Sequence, residues 1–243
     1  MKHAHNTPVT RASKSEAGKG RIVKAKFEEE RKIPPIQAKN EFQKKVLKAL
    51  AIKQIVVILA PAGVGKSYLT MGTAADWYVK GEIEKIIVSR PAVGMGKTLG
   101  LLKGNLEDKF NPYLAPLIEV FTDRHGRGKY DVALNSGDLE MVPVEYMRGR
   151  NIRDVAIVDE AQNLTKEEMF SIITRVTEEG RLFLIGDPVQ NDMREESGLV
   201  WLAKFVEKHN LQEYIEIIHA TSDDIVRSNL TKAFVKAMEE DKV

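Results

Sequence analysis

Ala60-Pro-Ala-Gly-Val-Gly-Lys-Ser67 lies between a β-branched apolar run, Ile55–Leu59, and a segment with helical spacing that opens at Ser67. Pro61, Ala62, Gly63, Val64, Gly65, Lys66, Ser67 and Tyr68 therefore read as a loop that cradles the phosphates of a nucleotide. Ala60 stands where the first glycine of that pattern belongs. Gly65 supplies positive φ and close backbone approach, so that successive N–H groups can face phosphate oxygens. Lys66 is placed to bridge the β- and γ-phosphates, and the Ser67 hydroxyl to ligate Mg²⁺. The start of the following helix adds its positive dipole end at the same point.

A second loaded segment is Ala156-Ile-Val-Asp-Glu160. Two adjacent carboxylates at the end of a buried strand would repel each other and lose hydration without a structural return. Beside a phosphate loop they have work to do. Asp159 can hold the Mg²⁺ shell, and Glu160 can act as general base on the attacking water. A base for water separates hydrolysis from transfer to a small-molecule hydroxyl. In Leu184-Ile-Gly-Asp-Pro-Val-Gln190, a strand again runs into a turn, with Gln190 placed to touch the γ-phosphate and Asp187 to position it. Gly96-Lys97-Thr98 repeats the Gly-Lys-Thr signature, but Pro91 occupies the first small-residue position and Gly100 and Gly104 follow at once. It reads as a loop with no sturdy helix behind it.

Alternating elements must carry these segments. The spacing predicts helices over Phe42–Leu50, Ser67–Lys80, Lys166–Glu178, Gly198–His209 and Asp223–Asp241. Strands are expected over Ile55–Leu59, Lys85–Val88, Asp138–Pro143, Val155–Asp159, Leu182–Ile185 and Tyr214–Ile218. Residues 99–134 read as helical and irregular, interrupted by Pro112 and Pro116. The alternation predicts an α/β domain, with a mostly parallel sheet flanked by helices and its ligand at the carboxyl ends of the strands.

Composition bounds the alternatives. The 243 residues suffice for one sizeable core, and there is no cysteine for a disulfide, a thiolate site or a thiol nucleophile. No apolar run approaches the about 18 residues of a membrane span. The N-terminus has no secretory apolar region, so a cytoplasmic protein without a membrane partner is expected. The formal net charge is +2, but residues 1–26 hold seven basic side chains against Glu16, while the remainder holds 30 basic against 34 acidic. Residues 1–33 thus read as a basic flexible tail, with 34–243 as the folded body. The tail either meets nucleic acid phosphates or merely solubilises the chain. His3 and His5 read as incidental.

Ala60–Ser67, Ser89-Arg-Pro-Ala92, Tyr146-Met-Arg-Gly-Arg150, Val158-Asp-Glu-Ala-Gln-Asn163 and Gly186–Gln190, in that order, resemble the PhoH-type ATPases. These are similar to the RecA-like core of superfamily 1 helicases. The resemblance covers about residues 34–240. It implies a RecA-like P-loop NTPase with Walker A and Walker B segments, a hydrolase using ATP and Mg²⁺. Asn40-Glu-Phe-Gln43 resembles the family's adenine-reading segment, which makes Gln43 a candidate for the base. Asp224-Ile-Val-Arg227 resembles a late arginine motif, which makes Arg227 a candidate charge stabiliser; Ser228-Asn229 departs from the expected His-Pro-like continuation. The extra nuclease or RNA-binding domain of some relatives is not expected within these 243 residues.

Superfamily 1 motors place ATP between two RecA-like domains, and one core is expected here. A neighbouring copy would then supply the arginine opposite the γ-phosphate, through a head-to-tail homo-oligomer, most simply a hexameric ring. Arg227, Arg148 and Arg150 are the candidates. A basic loop of Arg124, Arg127 and Lys129 reads either as a nucleic acid contact or as solvated surface; Arg148, Arg150 and Arg153 read as belonging to the active site or a subunit interface. Three functions fit: a helicase-like ATPase on RNA or single-stranded DNA, which the motif set favours; an ATP-dependent regulatory switch with a protein partner; and a P-loop kinase, disfavoured by Asp159-Glu160 and Gln190.

Overall fold

The computed structural model describes residues 33–91, 110–193 and 196–241. The tail up to Lys32, the Gly96-Lys97-Thr98 segment and the expected helical stretch before Phe110 lie outside the described residues. The elements are α1 (Glu41–Ile52), β1 (Ile55–Leu59), α2 (Lys66–Lys80), β2 (Ile86–Arg90), α3 (Ala115–His125), α4 (Arg127–Ser136), β3 (Leu139–Pro143), β4 (Val155–Val158), α5 (Lys166–Ile173), β5 (Arg181–Gly186), α6 (Gly198–His209), β6 (Ile215–His219) and α7 (Asn229–Glu240). The six strands form one sheet in the order β3-β2-β4-β5-β1-β6. Every pairing is parallel.

Both faces of the sheet are buried, which is why its central strands read as unbroken apolar runs. In β1, Val56 and Ile58 enter one core with Leu69, Met71, Phe121 and Phe183. Ile55, Val57 and Leu59 point to the opposite core with Leu164, Leu182, Leu184 and Leu199. Parallel register then brings the carboxyl ends of the strands to one edge. Ala60 N–H bonds Gly186 O at 3.0 Å and Asp159 N–H bonds Ser89 O at 2.9 Å, so the ladders run into the loops that carry the chemistry.

Several boundaries differ from the sequence expectation for identifiable reasons. Pro112 and Pro116 begin helical turns rather than interrupt them, because the first turn has no use for their missing N–H. Helix α5 ends at Ile173, not Glu178. Beyond it, Val176 bridges Ile152, and Thr177 N–H bonds Ile152 O at 3.0 Å. The C-terminal helix starts at Asn229, six residues later than Asp223. The intervening chain holds a short helical turn at Ser222–Asp224 and then runs past the phosphate loop, with Val226 N–H on Gly63 O at 3.1 Å. Arg124, Arg127 and Lys129 do not form a loop. Arg124 belongs to α3, while Arg127 and Lys129 belong to α4. Among the described residues no helix is long and apolar enough to cross a membrane.

Candidate functional site: a phosphate cleft at the strand ends

The loop after β1 turns on two left-handed glycines, Gly63 at φ 89° and Gly65 at φ 95°. Gly65 also caps α2, and a Cβ there would lie 3.1 Å from Gln43 Nε2. Ala60 has no such demand. It is buried, hydrogen-bonded to β5 and absent from the left-handed positions, so a side chain fits where the general pattern has glycine. Lys66 Nζ donates to the loop carbonyls of Ala60 at 2.6 Å and Pro61 at 3.0 Å. Burial lowers its pKa, against the field of Asp187, Asp159 and Glu160. A partly desolvated ammonium that already faces carboxylates is suited to an incoming polyphosphate.

Asp159 and Glu160 leave β4 beside this loop, and one strand, β5, separates β4 from β1. Burial, and then the neighbouring Glu160, push the Asp159 carboxyl up. Its Oδ1 accepts Glu160 N–H at 2.9 Å. Glu160 itself takes the left-handed conformation, φ 51° and ψ 36°. For a residue with a side chain that costs about 1–3 kcal/mol and occurs where the surroundings impose it. Here they do: Gln162 Nε2 donates to Glu160 Oε2, and Arg90 Nη2 lies 3.6 Å from Oε1. The turn separates the two adjacent acids, leaving Asp159 buried at the strand end and Glu160 more exposed, while both line the same cleft.

Gln162 and Arg90 were not assigned catalytic roles from sequence. Gln162 is fully buried and ties two motifs together. Its Oε1 accepts Asp187 N–H at 3.1 Å, and its Nε2 also reaches Gln190 O at 3.3 Å. Gly186 allows this approach, because a Cβ there would collide with Gln162 Oε1 and come within 2.9 Å of its backbone N. Arg90 reaches Tyr113 O at 3.1 Å as well as Glu160, at the end of β2. Its place after a buried strand was the available signal.

Gln190 Nε2 donates to Asp187 Oδ2 at 2.8 Å, and the two line a neighbouring hollow with Pro61, His219 and Phe234 instead of the cleft that Lys66, Ser67 and Glu160 line. Gln43 is buried: its Oε1 accepts Lys39 N–H at 2.8 Å and its Nε2 donates to Val64 O at 2.9 Å. It therefore joins the 34–39 segment to the phosphate loop. Arg227 follows the Val226–Gly63 bond, and its Cβ stands 3.4 Å from where a Cβ of Gly63 would be. The whole cleft encloses about 1210 Å³, and Lys66, Ser67, Tyr68, Asp159, Glu160 and Arg227 line it together. Arg148 and Arg150 are not brought there. Arg148 pairs with Glu168 at 3.3 Å, and Arg150 pairs with Glu140. Arg150 and Arg153 line a hollow at the amino-terminal edge of β2 and β4, across the sheet.

An oxygen-only donor pair, the Ser67 hydroxyl and Asp159 carboxylate, faces one cleft. Among the described residues no hydrogen bond is made to Asp159 Oδ2. This pair fits Mg²⁺, which takes one or two carboxylates along with substrate phosphate and water.

Sheet order, loop and carboxylates together define a P-loop NTPase domain of RecA-like α/β architecture. The chain belongs to the PhoH family: the family model described as PhoH-like protein matches residues 35–239. It is 34% identical over 212 residues to Protein PhoH of Escherichia coli strain K12, covering 85% of this chain and 59% of that protein. It is also 34% identical over 210 residues to a PhoH-like protein of Bacillus subtilis strain 168, covering 84% and 64%. The chain thus spans about three-fifths of the length of these curated relatives. The crystal structure of the HK97 bacteriophage large terminase superposes with a TM-score of 0.53 at 14% identity, over 87% of this chain and 49% of that one, a likeness of fold.

Proposed function

We propose that this chain hydrolyses ATP with Mg²⁺, as a helicase-like ATPase acting on RNA or single-stranded DNA. The observation that carries hydrolysis is the braced Glu160: a left-handed carboxylate held by Gln162 and Arg90 in the same cleft as Lys66 and Ser67. In this reading the glycine-turned loop and the α2 N-terminus bind the triphosphate, and Lys66 exchanges its carbonyl partners for phosphate oxygens. Ser67 and Asp159 hold Mg²⁺, which neutralises charge on the phosphates. Glu160 takes the proton of the attacking water at Oε1, the oxygen not bonded to Gln162. Gln190 senses the γ-phosphate through the turn that Asp187 and Gln162 fix. Arg227, on its own chain's loop, stabilises phosphate charge in cis. The base lies towards Gln43 and Tyr68.

Nucleic acid as partner is supported by the likeness of the motif set to superfamily 1 helicases and by the +6 charge of residues 1–26. A hexameric ring in which Arg148 or Arg150 completes a neighbour's site remains the assembly that supplies an arginine in trans. The test is ATP turnover with RNA, with single-stranded DNA and with neither, on samples of measured oligomeric state. Stimulation by either polymer supports the proposal, and log affinity should then fall with log salt at a slope of about −0.7 per phosphate contacted. Turnover indifferent to both polymers favours a switch with a protein partner. Phosphoryl transfer to a metabolite in place of water would overturn hydrolysis, and full activity as a concentration-independent monomer would overturn the ring.

A further inference from the structure

The cleft has a second wall that none of the phosphate motifs explains. Residues 34–39 cross α2 at Gly72, where a Cβ would come within 2.8 Å of Ile36 Cδ1 and 3.3 Å of Arg124 Cδ. The glycine therefore lets this strap and the Arg124 side chain lie directly on the helix. Arg124, the penultimate residue of α3, forks onto Asp76 of α2, with Nε at 3.0 Å from Oδ1 and Nη2 at 2.6 Å from Oδ2. The pair is largely withdrawn from water, with side-chain exposures of 9% for Arg124 and 14% for Asp76. The remaining donors point outward, to the strap and to the cleft rim. Nη2 also reaches Pro34 O at 3.2 Å, and Nη1 reaches Tyr68 Oη at 3.4 Å. Arg124 itself lines the cleft beside the strap and Tyr68.

Taken with the reading of the cleft as an ATP site, on which it rests, this arrangement has a specific consequence. Lys66 and Ser67 fix the phosphate end, so the nucleoside must extend past Tyr68, the next residue, towards the strap that Gln43 also anchors. We propose that Arg124 is a positioning residue for the nucleoside half of the ligand: anchored on Asp76, it holds the strap through Pro34 O and the Tyr68 ring through its hydroxyl, forming the wall against which base and ribose dock. A planar guanidinium can serve three acceptors in fixed directions from one buried anchor, whereas a lysine ammonium on a flexible stem cannot hold the same fork.

The inference separates nucleoside from phosphate recognition. Binding of ATP and of inorganic tripolyphosphate is measured by calorimetry on the full chain and on Arg124→Ala, Arg124→Lys and Tyr68→Phe. Arg124→Ala is expected to weaken ATP binding about tenfold, the equivalent of about 1.4 kcal/mol, while tripolyphosphate affinity stays within twofold. The lysine variant should not restore ATP affinity, and Tyr68→Phe, which keeps the ring and removes one acceptor, should show a smaller loss of the same selectivity. In steady-state turnover the loss should fall on KM with kcat retained. Equal weakening of ATP and tripolyphosphate, or rescue by lysine, would overturn the positioning role and leave a packing role only. If Arg124→Ala does not fold, the lysine and Tyr68→Phe variants decide by the same ratio. Wild-type protein that binds tripolyphosphate but gains nothing from the nucleoside overturns this inference alone; wild-type protein that binds neither overturns the nucleotide site itself.

Discussion

The two halves of the cleft are built on different principles. The phosphate half consists of loops that leave adjacent parallel strands at one edge, each within a few residues of the ladder that places it. The half proposed for the nucleoside is assembled from a strap before α1, the start of α2 and the end of α3, joined by side-chain bonds from Arg124 and Gln43. Backbone ladders hold the first half to a fixed geometry, because each sheet hydrogen bond is backed by its neighbours. Side-chain clamps hold the second, so single substitutions can loosen it without disturbing the sheet.

That contrast can be tested from the strongest perturbation downward. Lys66→Ala should abolish detectable turnover and weaken tripolyphosphate and ATP alike, because it removes charge where both bind; a loss confined to ATP would erase the distinction between the halves. Glu160→Gln should retain ATP while phosphate release falls by about 10²–10⁴, the usual range for losing a general base. Normal release would remove Glu160 from that role. Gln162→Ala should lower kcat more than it raises KM, since it frees Glu160 and leaves Asp187 N–H unpaired in the interior. It should also lower stability by about 1–3 kcal/mol, measured by denaturant unfolding.

Asp76→Asn addresses the clamp. Burial pushes the Asp76 carboxyl up, but hydrogen bonds from His125 and Arg124 outweigh burial and hold it below the ordinary carboxylate range. A depressed carboxylate contributes stability that is fully present above its unfolded pKa and lost as pH falls through its folded pKa. Unfolding measured from neutral pH towards acid should therefore show a shallower acid loss in Asp76→Asn than in the wild type, alongside a lower plateau at neutral pH. Parallel curves would mean that the pair contributes no linkage. The smallest effect is expected at Arg127, whose exposed pairing with Asp131 at 2.8 Å lies on the solvent face of α4. Arg127→Ala should change stability by less than about 0.5 kcal/mol and leave ATP binding unaltered.

The same division explains what could be read in advance. Ile55–Leu59, Val155–Val158 and Arg181–Gly186 announce themselves as strands buried on both faces, and the chemistry of each loop follows closely after its strand, no farther than Ser67 lies from Leu59. Their shared edge follows from parallel alternation alone. Arg124 was misread because its neighbours in sequence, Gly126 to Lys129, have the composition of a basic loop, while its partner Asp76 lies 48 positions away. The late start of α7 was hidden for a similar reason. Asp223 to Asp241 has acceptable helical composition, yet Ile225 is extended and Val226 N–H bonds Gly63 O, so the helix does not begin before Asn229.

Local pattern by itself determined the α/β class, the position of the phosphate loop after β1, and the placement of Asp159 and Glu160 at the end of a buried strand. These depend on period, on positive φ and on charge, which are properties of short windows. Only the tertiary structure decided that Gln162 ties the Glu160 turn to the Gln190 turn, that Arg90 faces Glu160, and that Arg124 joins Asp76 to Pro34 and Tyr68 at the cleft rim. Those contacts join residues whose proximity is created by strand order and helix packing, and an amide or guanidinium carries no mark in sequence of the partner that folding will bring to it.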